Sequence, residues 1–211
     1  MLDKEQDSRQ EGRLIKPLLV SRLSHFFYQS SGLVIAIFFT IAFFSYLFLI
    51  MMGKAAGFEL ADGDMKSLAT SFGFNHADII AFLAVRTDEM VNAYINFNKV
   101  WDTLFGLIYG LMYVVWMSVL FKPYAQKVGF LNLLPFAQVL FDWLENYALA
   151  LLANQYLIDG LISSPIAKLA SVFCMFKWVC SGFTFTLILV GIILMITQAI
   201  KNRNKSNSYT F

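Results

Sequence analysis

Leu134–Leu152 reads LPFAQVLFDWLENYALALL. It is apolar enough to cross a membrane as a helix, yet it carries Asp142, Glu145 and Asn146. At about 100° per residue these three fall within one narrow arc, and Gln138 extends the same face by a turn. A carboxylate at the centre of a membrane span costs roughly 2.5–3.5 kcal/mol, whereas each Leu, Phe or Val returns only about 0.3–0.6. Two acids therefore cancel most of what the apolar residues supply. Such a helix is tolerable only when its polar face looks at protein or at a wet cavity, so the other spans are expected to gather around that face.

The composition supports an integral membrane protein. Of 211 residues 58% are hydrophobic and 14% charged, far below the roughly 25% charge usual in soluble domains. The 22 phenylalanines and a mean hydropathy of +0.63 point the same way. A net charge of +2 without a basic-aromatic surface pattern argues against nucleic acid as a partner. Cys174 and Cys180 are six residues apart in one apolar segment and so face different sides of a helix, with no metal-ligand spacing. His25 and His76 lack any ligating context and read as interfacial residues. No metal and no cofactor is expected.

Four apolar runs set the expected architecture: spans at about 33–52, 101–121, 131–154 and 170–199 in a single domain, each near the roughly 20 residues that cross a bilayer. The first could be a signal peptide, but its polar leader is too long and its apolar run exceeds the usual h-region of about 7–15 residues. Residues 53–100 form the one large extramembrane loop. Within it Asn75 is a candidate N-cap for a helix from His76 to Val85, which could cap the bundle, lie on the outer leaflet or act as a lid. Thr87-Asp88-Glu89 begins a second helix, expected to run through Tyr94 and Phe97 into the second span. Gly106-x-x-x-Gly110 permits a close helix approach. Pro135 suits the start of the third span. The remaining aromatic residues are most simply lipid-facing or interfacial. Lys and Arg concentrate in the N-terminal segment, in the link Lys122–Lys127 and in the C-terminal tail, which places both termini in the cytoplasm. The expected fold class is all-α, a four-helix transmembrane bundle with a partly helical extracytoplasmic loop.

In that topology Lys177 of the fourth span meets Asp142 or Glu145 in the outer half of the bundle, with Tyr109 and Asn146 beside them and Asp102 above, near the mouth. Lys177, Ser181 and Thr184 share one helix face. Asp102, Tyr109, Asp142, Glu145, Asn146 and Lys177 are thus the candidate ligand-binding residues, and Asp142, Glu145 and Lys177 the candidate catalytic ones.

These residues admit three functions. The cavity binds a membrane lipid or another amphiphile. Alternatively, an enzyme acts on a lipid or isoprenoid substrate: surplus acid leaves one carboxyl protonated near neutral pH as a general acid, Lys177 holds developing negative charge, and Asp102 or Tyr109 positions the substrate. Or the cluster is a structural knot in an assembly or partner subunit, hetero- or homo-oligomeric. Unpaired polar groups on an open face favour the first two, and a closed, fully bonded cluster the third. A Ser181 nucleophile beside Lys177 is conceivable at this spacing, but one such pair carries little weight. No nucleophile–base pair, metal set or phosphate loop is decisive.

The pattern resembles a group of uncharacterised small bacterial four-span membrane proteins. Their second span reads Tyr…Asp-x-x-Phe-x-x-x-Tyr-Gly, here Tyr94, Asp102, Phe105, Tyr109 and Gly110. Their third reads Leu-Pro…Asp-x-x-Glu-Asn, here Leu134-Pro135, Asp142, Glu145 and Asn146, and a Lys-Trp pair in the fourth is here Lys177-Trp178. The match covers roughly residues 73–178. Such proteins often show a Gly-Arg pair shortly before the tyrosine, and this chain has neither residue between Thr87 and Tyr94. The resemblance implies the four-span architecture and the polar cluster, without an activity.

Overall fold

A computed structural model of the chain describes residues 19–51, 57–60 and 68–208. The basic N-terminal residues Lys4, Arg9, Arg13 and Lys16 lie outside the described residues. Among those described there are helices and turns but no strand. Three helical segments are long and apolar enough to cross a membrane: Leu33–Met51, Asp88–Asp159 and Ser164–Arg203. This is a membrane protein.

Helix α1 covers 19–30 and exposes Leu19, Val20, Leu23 and Phe26. Ser31 and Gly32 break it from α2, Leu33–Tyr46, which ends in a π-helical turn, Leu47–Met51. Helices α3, His76–Ala84, and α4, Asp88–Asn96, follow the loop. A second π turn, Phe97–Asp102, joins α4 to α5, Thr103–Phe121, without a break. Pro123 then turns the chain through the four-residue α6, Ala125–Val128, to α7, Leu134–Asp159, and α8, Ser164–Ser208.

The local starts and stops follow elementary rules. Asn75 closes a capping box on α3: its side chain accepts from the Ala77 and Asp78 amides, and Asp78 accepts from the Asn75 amide. The Thr87 hydroxyl caps α4 by accepting from Met90 N at 3.4 Å. Pro135 sits in the first turn of α7, where the missing amide costs nothing. Gly160, at φ +67°, takes the left-handed conformation that ends α7. Helix α8 starts six residues before the expected Ala170 and continues past Ala199, so its 45 residues extend about 68 Å, well beyond a hydrocarbon core of about 30 Å.

Packing joins α7 to α8 most extensively, with α5 against both. At one end of the bundle, Ile79, Phe82 and Leu83 of α3 and Val91, Tyr94 and Ile95 of α4 are buried against Leu149, Leu152 and Ala153 of α7 and Ala167, Ala170 and Cys174 of α8. Helix α3 therefore caps the bundle. At the other end Tyr28 of α1 packs with Met117, Leu120 and Phe121, and Asn132 ties that end together, donating to Ser24 O at 3.1 Å and to Ser118 Oγ at 2.9 Å. Helix α2 is different. Only 6% of its apolar window is buried, and it packs on α5 and the second π turn without a packed interface to α7 or α8. The Trp116 indole, donating to Thr40 Oγ1 at 2.8 Å, and the Tyr46 hydroxyl, donating to Trp101 O at 2.9 Å, pin it there.

The paired glycines mark the α5–α7 crossing. A Cβ on Gly106 would lie 2.9 Å from Asp142 Oδ2 and 3.0 Å from Trp143 Nε1, and one on Gly110 would run into Val139 Cγ2. Backbone approach, not flexibility, requires them. Gly110→Ala should lower the stability of the detergent-solubilised protein by about 1–3 kcal/mol through overpacking. Gly182→Ala, which meets nothing within 4 Å, should leave it within about 0.5 kcal/mol. Thermal unfolding of the two variants side by side provides the measurement.

Candidate functional site

The polar face of α7 turns inward, burying Gln138, Asp142, Glu145 and Asn146. Helix α8 brings Lys177 to it. The Lys177 Nζ lies 2.5 Å from Glu145 Oε2 and 3.3 Å from Asp142 Oδ1, with the carboxylates almost wholly withdrawn from solvent. One ammonium thus bridges two acids that share one face of the neighbouring helix. Desolvating these charges is costly, and only close opposite charge makes the arrangement stable.

The second π turn brings Asp102 to the same place. Its widened hydrogen-bonding pattern frees main-chain carbonyls, and side chains take up several of them. The Thr103 hydroxyl donates to Asn98 O at 2.8 Å, Tyr46 donates to Trp101 O, and the Trp143 indole donates to Thr103 O at 2.9 Å. Asp102 is buried with its carboxyl toward Asn146 and within the field of Asp142, Lys177 and Glu145. It borders the same cavity as Asp142 and Lys177. Tyr109, two turns on, directs its hydroxyl toward Asp142.

Bonding within this group is incomplete. Asp142 Oδ2, Glu145 Oε1, Gln138 Oε1, the Tyr109 hydroxyl and both polar atoms of the Asn146 amide are buried without a hydrogen-bond partner among the described residues.

The group borders a cavity of about 690 Å³. Asp102, Tyr109, Gln138, Asp142, Lys177 and Ser181 form its polar side, and Glu59 and Thr70, from the segment before α3, stand at its margin. Phe43, Leu47 and Met51 of α2, Phe58, Phe97 and Phe105, and Tyr113 and Trp178 supply an apolar and largely aromatic wall. Glu145 and Asn146 lie behind this surface, fully buried, and do not line the space. Thr184 is buried below Ser181 on the same face of α8. Of the six candidate ligand-binding residues, Asp102, Tyr109, Asp142 and Lys177 therefore border the cavity.

Two features lie beyond the sequence reading. Several aromatic residues taken for lipid-facing filler line the cavity, although Phe38, Phe44, Phe48, Phe176, Phe183 and Phe185 are indeed exposed. Arg86, immediately before the α4 cap, is buried: it donates to Phe58 O at 2.9 Å and to Phe82 O, with its guanidinium 3.5 Å from the Phe82 ring centroid. It fastens the loop carrying Phe58 and Glu59 to α3. The sole advance signal was an arginine within an otherwise apolar helix end.

The remaining candidates have ordinary surroundings. His25 pairs with Gln29 at 2.8 Å on an exposed helix face, and His76 Nε2 lies 3.3 Å from Ile162 O. Cys174 and Cys180 are free thiols, and the buried Cys174 donates to Ser71 O at 3.1 Å. Among the described residues no group of His, Cys, Asp and Glu could hold a metal ion. Comparison with protein-family models, curated proteins and solved structures returns no match for the chain.

Removing one partner of the ion pair should expose its cost. Glu145→Gln or Lys177→Met should each destabilise the protein by about 3–5 kcal/mol, and the double variant should recover much of that loss. A thermal-unfolding double-mutant cycle in mild detergent measures the coupling.

Proposed function

We propose that this protein is a four-span integral membrane protein of the bacterial inner membrane, both termini cytoplasmic, whose outer-half cavity binds a lipid or another amphiphile. Helices α2, α5, α7 and α8 serve as the spans. The basic link at Lys122–Lys127 and the basic C-terminal end lie on one side, and the loop carrying α3 and α4 lies on the other. The resemblance to small bacterial four-span proteins belongs to the same proposal and rests on the motif residues quoted for it.

The observation that carries the binding function is the cavity itself. It combines an apolar aromatic wall at membrane depth with a polar floor holding buried atoms that have no hydrogen-bond partner. Pockets for small ligands have this form: mostly apolar surface and a few convergent polar groups that fix orientation. A cluster serving only to fix helix register gains nothing from unsatisfied atoms, each of which costs about 1–3 kcal/mol when buried.

An enzyme acting on a lipid or isoprenoid substrate is the second reading, supported by Asp142, Lys177, Asp102 and Tyr109 bordering one space. In that case Asp142, not the enclosed Glu145, is the general acid that reaches substrate. Lys177 holds developing negative charge, and Asp102 and Tyr109 position the substrate.

Native mass spectrometry of protein extracted in mild detergent tests the binding function. The wild-type chain should carry a retained amphiphile. Leu47→Trp, which fills the cavity from the α2 side, should lose it without a lower unfolding temperature. A bare wild-type chain, or an adduct unaffected by Leu47→Trp, would count against the proposal. The topology is checked separately: reporter fusions at the C-terminus should be active only as cytoplasmic reporters, and fusions in the α3 region only as exported ones.

A further inference from the structure

Among the described lining residues, the polar side of the cavity is unbalanced in charge. Lys177 is the only cation among its described lining residues, and it is already engaged by Glu145 at 2.5 Å and Asp142 at 3.3 Å. Glu145 alone matches its charge, so Asp142 and Asp102 face the space in excess, and Glu59 adds another carboxylate at the margin. The unpartnered atoms tell the same story independently. Asp142 Oδ2 and Gln138 Oε1 are acceptors, on side chains only 4% and 7% exposed, and both residues line the cavity. Of the unpartnered atoms on the described lining residues, only the Tyr109 hydroxyl can donate.

The aromatic wall has a matching preference. Phe97 adds an aromatic ring to it, and Trp178 already has the Lys177 ammonium 5.7 Å from its ring centroid. An anionic headgroup would place like charge beside excess carboxylates at low dielectric, which is strongly unfavourable. An ammonium group supplies both the charge and the N–H donors.

The way in is also defined. Phe43, Leu47 and Met51 of α2 border the cavity on one side and Trp178 and Ser181 of α8 on another, while α2 makes no packed interface with α8. An alkyl chain can occupy that gap at membrane depth with its headgroup against Asp102 and Asp142.

Resting on the amphiphile-binding function above, we propose that the cavity selects amphiphiles bearing an amine headgroup, with Asp102 and Asp142 receiving the ammonium and the alkyl chain passing between α2 and α8.

A matched series of twelve-carbon ligands tests this: dodecylamine, dodecanol and dodecanoate, with ethylamine as the headgroup alone. Each is titrated against the full chain in maltoside micelles, with bound fraction read by native mass spectrometry. Dodecylamine should bind at least about tenfold more tightly than dodecanoate, with dodecanol between, as expected for one or two hydrogen bonds to charged groups. Asp102→Asn should abolish the difference between dodecylamine and dodecanol, whereas Asp102→Glu should retain it, which separates loss of charge from loss of fold. Dodecanoate binding as tightly as dodecylamine, or an unchanged ranking in Asp102→Asn, would overturn the amine preference while leaving an amphiphile site in place. Failure of all three twelve-carbon ligands would instead remove the amphiphile site and this inference with it. Ethylamine binding as tightly as dodecylamine would assign the carboxylates to a soluble amine and overturn the membrane ligand.

Discussion

A single ammonium, Lys177 Nζ, held between Glu145 and Asp142, fixes the arrangement of the bundle. Neither helix could present these groups to lipid, so α7 and α8 are bound to meet along that line. Asp142 extends the constraint to a third helix. Its other oxygen lies over Gly106, where even a methyl group would not fit, so α5 must pass α7 at that level. Three helices thus converge on one aspartate, and its surroundings determine how close they come.

The end of the bundle that carries α3 and α4 is packed around its own apolar cluster. Helices α3 and α4 form an apolar cap over α7 and α8, and Arg86 anchors the loop beneath the cap through two carbonyls and a ring. The loop so held borders the cavity through Phe58 and Glu59. The side wall of the cavity is lighter: α2 is held to α5 mainly by its own apolar face and by the bonds from Tyr46 and Trp116.

Much of this was legible in the sequence because the physics was local or severe. The acids of α7 could be assigned to one face from spacing alone, and their energetic cost demanded a partner, which Lys177 provides. The caps at Asn75 and Thr87 depend on neighbouring residues and appear where expected. What escaped detection depends on which surface faces which. A phenylalanine against lipid and one against a cavity have the same hydropathy, so the role of Phe43, Phe97 and Phe105 is invisible without the neighbouring helix. Arg86 escaped for a related reason: its partners are main-chain carbonyls, which leave no trace in residue identity. The π turn at Phe97–Asp102 is equally hidden, since no residue type in it announces the irregularity.

That last irregularity reaches further. From Tyr94 to Gly110 the chain buries every fourth residue: Tyr94, Asn98, Asp102, Gly106 and Gly110. On an uninterrupted α-helix each such step overshoots a full turn by about 40°, and four steps would carry the last residue about 160° from the first. The π turn accommodates one additional residue and takes back most of that drift, so both ends of the series can face α7. It acts as a phase correction in the middle of an otherwise continuous rod. A related chain lacking the turn would align with this one only across a one-residue gap within the helix, and that gap would record where the aspartate was brought into phase with its partners.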